Sequence, residues 1–263
     1  MRHLLQRHPF AMRTHFAHSL VLTYALPPRL LTPLVPPGLA LDTYTDPDGT
    51  EHGFVAAAVV DTRALRPAAL PARLGRDFIL TGYRVFTRFP TPGGRTMRGL
   101  RILRSDTDSR MMALGGNAFS RYHYRHARIG TRVVGDTLEF KVVSGDGRAD
   151  LHVRADLGGA PAALPAGSPF ADARAARRFA GPLPYTFEYE PQTRSMIVVK
   201  ATRAHWDPVP VAVEVPRLTF FDHGPLAGSR PVLANAFHVA GLDYGWHAGE
   251  RRDLTGAVRG AVR

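Results

Sequence analysis

Residues 115–129, GGNAFSRYHYRHARI, bring two glycines, an asparagine, two tyrosines, two histidines and three arginines into one short segment. Phenols and an imidazole in such a set could orient a carbonyl or relay a proton. Paired histidines could ligate a metal, and a basic strip with aromatic rings could follow a nucleic-acid backbone. If the segment is extended from residue 122, the two-residue period of a strand puts Tyr122, Tyr124 and His126 on one face and His123 and Arg125 on the other. That alternation separates His123 from His126, and a metal would still need a third ligand, so neither a metal nor a cofactor is expected. Tyr124 and His126 become the candidate proton-moving residues, with Asn117, Tyr122 and Arg125 as candidate ligand contacts. The plainer alternative is a packed strand whose tyrosine hydroxyls are capped by backbone.

A second candidate lies in 78-FILTGYRVFTRF-89, where Arg84 shares a strand face with Phe78, Leu80, Gly82 and Phe86. A charge among apolar neighbours needs a partner. Arg84 either pairs with Asp106 or another carboxylate, awaits an anionic ligand, or sits at the exposed end of a twisted strand. His205, beside Trp206, is the remaining candidate ligand contact. No phosphate-binding glycine loop, serine nucleophile elbow or dinucleotide fingerprint is present.

These residues must be held by a chain that reads mostly as strands. Extended segments are predicted at 19–26, 39–44, 53–62, 78–89, 96–106, 122–134, 137–144, 149–157, 185–190, 195–206 and 209–215. Proline and glycine punctuate them, as in the hairpin signal 46-DPDG-49 and the turn 90-PTPGG-94. The run 53-GFVAAAVVDT-62 is apolar on both faces and is predicted to be buried. Short helices are predicted within 27–38, opened by Pro28 and stopped by Pro36-Pro37-Gly38, and at 170–180, with helix or loop at 107–121. A Pro-rich excursion is expected at 66–75 and a loop at 158–169. With no internal repeat and no clean linker, one domain is expected over 1–263, ending in a flexible basic tail from 250.

Composition narrows the function classes. The chain has 263 residues, 44% of them hydrophobic, and no cysteine, which removes disulfides, thiolate metal sites and a cysteine nucleophile. No run reaches the length of a membrane span and the N-terminus lacks a leader pattern, so a cytoplasmic protein without a membrane partner is expected. The net charge of +12 is almost wholly arginine, since Lys141 and Lys200 are the only lysines. In a chain rich in Ala, Gly and Pro this fits GC-rich coding, and the arginines are spread rather than striped, so nucleic acid is not the expected partner.

The order of several motifs resembles the DUF2071 (YqjF-like) family. The element 27-PPRLLTPLVPPGLALDTY-44 carries most of the resemblance, which continues through 65-LRP-67, 82-GYRVF-86, 99-GLRILRSD-106, 122-YHYRHA-127 and 205-HW-206 and covers about residues 10–215. In this comparison Arg84 falls on the family's arginine and Gly82 replaces its usual asparagine. The family is similar to acetoacetate decarboxylases. The resemblance therefore implies a β-dominated α+β fold, a single curled antiparallel barrel or cone with a few short helices enclosing a small-molecule cavity. It implies no activity. Acetoacetate decarboxylases form a Schiff base through a lysine; when their motif is laid over 116-GNAFSRYHYR-125, Tyr124 and Arg125 stand where the lysines belong, and neither forms an imine.

The leading expectation is therefore a small-molecule-binding protein, compatible with a homo-oligomer. If it is an enzyme, it is expected to do non-covalent acid/base chemistry on an oxygenated or anionic substrate, with Arg84 holding an anion. The alternative is a non-catalytic protein whose basic surface docks an acidic partner. A cavity with convergent polar groups favours the first; a filled interior with one contiguous arginine face favours the second.

Overall fold

The computed structural model describes residues 2–91, 94–181 and 183–254. Fifteen strands among them join one sheet. After a short helix α1 (Arg2–Leu5), β1 (Met12–Leu26) runs into α2 (Pro28–Leu31), with Pro28 in its first turn and a 3-10 turn extending it to Leu34. The pieces β2 (Ala40–Leu41) and β3 (Tyr44–Thr45) stand where one strand was predicted. The 46–49 turn then leads into β4 (Glu51–Pro67), with Asp46 accepting from the Asp48 and Thr50 amides. As its composition requires, β4 is buried on both faces from Gly53 to Thr62. Next come β5 (Arg76–Pro90) and β6 (Thr96–Thr107), which pair from Leu80 to Pro90 of β5. Of the 90–94 turn that joins them, Pro92 and Gly93 lie outside the described residues.

Helix α3 (Arg110–Phe119) is N-capped by Ser109 and leads to the meander β7 (Tyr124–Val134), β8 (Thr137–Ser144) and β9 (Leu151–Asp156). Then follow α4 (Ala173–Ala180), β10 (Tyr185–Glu190) and β11 (Ser195–Arg203). The 209–215 prediction splits into β12 (Val209–Pro210) and β13 (Val213–Leu218), which join different parts of the sheet.

Two strands depart from the sequence reading. β14 (Val232–Trp246) is unanticipated and pairs with β1 along nearly its whole length; the N-terminal half of β1 was likewise unread. β15 (Glu250–Asp253) pairs with β11, so the chain from 250 to 253 is sheet, not tail, and Leu254 is buried after it. Its charged residues are mostly exposed, and backbone pairing with β11 and the packing of Leu254 against Phe89, Phe187 and Met196 hold it. Residues 255–263 lie outside the described residues.

The order β6-β10-β11-β14-β1-β4-β5 returns to β6 through the β5–β6 pairing, so the sheet curls round an interior. Pairing is antiparallel except where β6 meets β10 and β7. Over the outer face of β1, β4 and β5 lies the main apolar core. Here Leu20, Leu22, Val55, Val59, Tyr83 and Val85 pack with Leu138, Phe140, Leu151 and Val153 of the meander. Register defines two ends of the interior. At one, Leu26 and Gly53 pair, and Phe54, Phe86, Phe170 and Phe179 cluster beneath α4. At the other, Met12 pairs with both Pro67 and Trp246, next to α3 and the N-terminal segment.

That N-terminal segment is tied down by charge. Arg7 donates two hydrogen bonds, at 3.0 and 2.6 Å, to the fully buried Glu190 of β10. Burial alone would raise the Glu190 carboxyl, but hydrogen bonds from Arg7 and Thr193 and the nearby Arg121 charge outweigh it and hold it at about 2, against an ordinary 4.5. A depressed carboxyl stabilises the fold above its unfolded-state value and loses that contribution as pH falls toward its folded-state value. The urea midpoint of the wild type should therefore exceed that of Glu190→Gln at neutral pH, with the gap closing between pH 4.5 and about 2. A gap unchanged over that range would assign the stabilisation to packing instead.

Candidate functional site

The interior of the curled sheet holds a cavity of about 650 Å³ with mostly apolar walls, among them Phe16, Val60, Phe78, Phe86, Leu100 and Ile102. This falls within the roughly 300–1,000 Å³ of small-molecule pockets. Strand alternation on β5 places Phe78, Leu80, Arg84 and Phe86 along the cavity wall, as its sequence predicts.

Arg84 does not meet Asp106. The register of β5 on β6 slips between Tyr83 and Arg84, and Asp106 lies fully buried in a bidentate pair with Arg104. Arg84 makes no ion pair with any described residue. Its guanidinium folds back over Gly82, where an added Cβ would stand 3.4 Å from Nη2 and 3.5 Å from Nε. Burial lowers its pKa from the ordinary arginine value, against the opposing influence of Tyr244, Tyr124 and Tyr122. Arg84, near three tyrosines and without an ion-pair partner among the described residues, is one of several polar groups on mostly apolar walls that also carry His8, Arg76, Asp77, Arg203 and His247.

Both Tyr122 and Tyr124 face this cavity. Tyr122 precedes β7, and His123 between the two tyrosines takes φ 52°, a left-handed conformation that is uncommon away from glycine. Burial raises the pKa of both phenols; Glu188 adds to the rise, and Arg84 partly offsets it. At neutral pH they are hydrogen-bond donors, not bases. Behind Tyr122 sits His8, with ring centroids 4.7 Å apart, and Thr186 slightly offsets the rise of the phenol.

The other candidates stand elsewhere. Asn117 is a clamp on Tyr124: its Nδ2 donates to the Tyr124 carbonyl at 2.8 Å and its Oδ1 accepts from the Tyr124 amide at 2.7 Å. Arg125 is exposed and pairs with Asp146 at 2.6 Å. His126 is exposed although it shares the alternation of Tyr124. It pairs with Thr107, the last residue of β6, beyond which β7 leaves for the meander. His205 is exposed, while the adjacent Trp206 lines the cavity. The residues not foreseen are Phe16, Tyr244 and Trp246, an aromatic group with Phe16 stacked on Tyr244 at 4.8 Å. All three belong to the unread parts of β1 and β14. A signal existed in the aromatic alternation of 244-YGW-246.

Gly116, from the opening segment, has a steric role. A Cβ there would stand 2.4 and 2.6 Å from the Tyr124 ring carbons. Because Asn117 fixes the Tyr124 backbone, only the ring can yield. Gly116→Ala should therefore lose about 1–3 kcal/mol in denaturant titrations, despite a helix-propensity gain of about 1 kcal/mol.

A curled, largely antiparallel sheet around a ligand-sized interior places the chain in the acetoacetate decarboxylase-like fold. Acetoacetate decarboxylase from Legionella pneumophila is similar at 15% identity and TM-score 0.58, over 92% of this chain and 87% of that one. An acetoacetate decarboxylase-like enzyme from Sphingomonas wittichii RW1 is similar at 14% and 0.58, over 92% and 93%. The enduracididine biosynthesis enzyme MppR, solved with the condensation product of pyruvate and imidazole 4-carboxaldehyde, is similar at 14% and 0.58, over 94% and 90%. Among curated proteins no sequence matches. Residues 13–239 match DUF2071, described as an uncharacterized conserved protein, and the chain belongs to that family.

Proposed function

We propose that this chain binds an amphipathic organic acid, its anionic oxygens on Arg84 and its apolar body along the aromatic and aliphatic walls. Any reaction there is non-covalent, with Tyr122 and Tyr124 donating hydrogen bonds or a proton to a developing oxyanion. The observation that carries this is Arg84, a half-buried cation that lines the cavity and makes no ion pair with a carboxylate among the described residues. An open interior also favours this reading over a protein that only docks an acidic partner. The neighbours' own molecules, acetoacetate by name and a pyruvate condensation product, are small oxo acids or derived from one. The apolar volume here accommodates a larger hydrocarbon part.

Imine chemistry is not part of the proposal. Both lysines, Lys141 on β8 and Lys200 on β11, are exposed and neither lines the cavity. Borohydride treatment with a 3-oxo acid should leave the protein mass unchanged, and an adduct on either lysine would overturn this. The binding reading is tested by calorimetry with a medium-chain 3-oxo acid and its methyl ester. Binding of the acid alone is expected; equal affinity for both, or for neither, defeats it.

A further inference from the structure

Of the twelve exposed large apolar side chains among the described residues, Val133, Val134, Val209 and Val232 lie on β7, β12 and β14, and the rest are grouped. These eight fall in three segments: Leu4, Leu5 and Phe10; Leu70 and Leu74; and Met111, Leu114 and Phe119. Register and hydrogen bonds bring the three together at one end of the sheet. The His8 amide donates to the Phe119 carbonyl at 2.9 Å, Phe10 packs on Phe119 with centroids 5.5 Å apart, and the Ala68 amide donates to the Ala11 carbonyl at 2.8 Å. Phe10, Met111 and Phe119 also line the cavity, so the apolar surface continues into the chamber. Such a patch on the outside of a protein marks an interaction site.

Charge around the patch selects what covers it. Arg73 lies between Leu70 and Leu74, Arg76 follows them, and Arg110 precedes Met111. All three are exposed and none has an acidic partner among the described residues. Residues 1–16 contain no acidic side chain. Of the nearby acids, Asp77 is paired with Arg63, and Asp108 accepts the Ile79 amide. Two copies meeting on this face would bring the same unpaired arginines together on chains of net charge +12. A surface that is apolar in depth and anionic at its face complements the patch instead.

We infer that this end of the sheet docks peripherally on an anionic lipid bilayer, with Leu4, Leu5, Phe10, the apolar side chains of α3 and the 68–75 loop entering the headgroup region. The cavity mouth then opens toward the lipid. No helix among the described residues is long and apolar enough to cross a membrane, and interfacial binding requires none. Surface docking departs from the expectation of no membrane partner, which rests only on the lack of a spanning segment. The inference stands independently of the ligand reading, because the patch and its arginines would act whatever the cavity holds.

The test is co-sedimentation of the full chain with vesicles of phosphatidylcholine alone and of phosphatidylcholine with about a third phosphatidylglycerol. Binding to the anionic vesicles alone is expected, weakening as salt rises. The double variant Met111→Asp/Leu114→Asp should reduce it about tenfold or more. Arg73→Glu/Arg110→Glu, which alters only exposed side chains and keeps the fold, should do likewise. Absence of binding to either vesicle overturns the inference. So does binding that the apolar variant leaves unchanged, which would reflect net charge alone. A concentration-dependent dimer abolished by Met111→Asp/Leu114→Asp would show that a second copy covers the face.

Discussion

Arg84→Met should make the protein more stable and leave it unable to hold an organic acid. A half-buried guanidinium without an ion-pair partner among the described residues is partly desolvated, and that desolvation lowers its pKa. A methionine of similar length fills the same wall with apolar surface, so a gain of about 1–3 kcal/mol is expected in urea denaturation. Removing one member of a desolvated charge pair costs about 2–5 kcal/mol of binding, so affinity for a medium-chain 3-oxo acid should fall by roughly 30-fold to several thousand-fold. Arg84→Lys keeps the charge but loses the planar fork, and should bind more weakly than wild type while exceeding Arg84→Met. A loss of stability in Arg84→Met beyond about 2 kcal/mol would mark the guanidinium as a structural group and remove the ground for the ligand reading.

Arg84 was legible because its signal is local. The strand period fixes which neighbours share its face, and an arginine between Leu80 and Phe86 is anomalous in any fold. The β4 to β6 hairpins were legible for the same reason, since alternation and turn residues lie within a few positions of one another. β14 was not. The polar Asn235 and His238 interrupt its apolar run, two glycines thin it, and what makes it a strand is pairing with β1 more than two hundred residues earlier. With β14 went Tyr244 and Trp246, so part of the aromatic wall of the cavity was invisible. His126 failed differently. Alternation correctly put it on the face of Tyr124, but alternation cannot say where β6 ends, and beyond Thr107 that face meets solvent.

The segment 115–129 thus divides by function along its length. Gly116 and Asn117 fix the position of Tyr124, one by leaving room for the ring and the other by holding the backbone. Tyr122 and Tyr124 face the chamber, and Arg125 serves the outer layer. Polar side chains that looked like one site from spacing alone lie on two sides of a sheet, and only the inner set meets Arg84.

Arg104 provides the opposite case to Arg84. Two positions from the fully buried Asp106, it donates to both carboxylate oxygens at 2.7 and 2.8 Å, and it donates to both Asp146 oxygens at 2.9 and 2.8 Å. Here the charge is compensated, and truncation should be costly because Asp106 would remain buried without a partner. Arg104→Leu is expected to lose about 3–5 kcal/mol, a fall of roughly 10 °C in Tm for a chain of this size. Asp146, which would keep its bonds from Arg125 and the Arg148 amide, contributes less to that loss. The double replacement Arg104→Leu/Asp106→Leu should recover most of it, since removing both members leaves no uncompensated charge. If the double variant is as unstable as Arg104→Leu, the cost lies in packing beneath Tyr83 and not in the orphaned carboxylate. The two arginines share a composition and a sheet, and they differ in whether the protein itself supplies the anion.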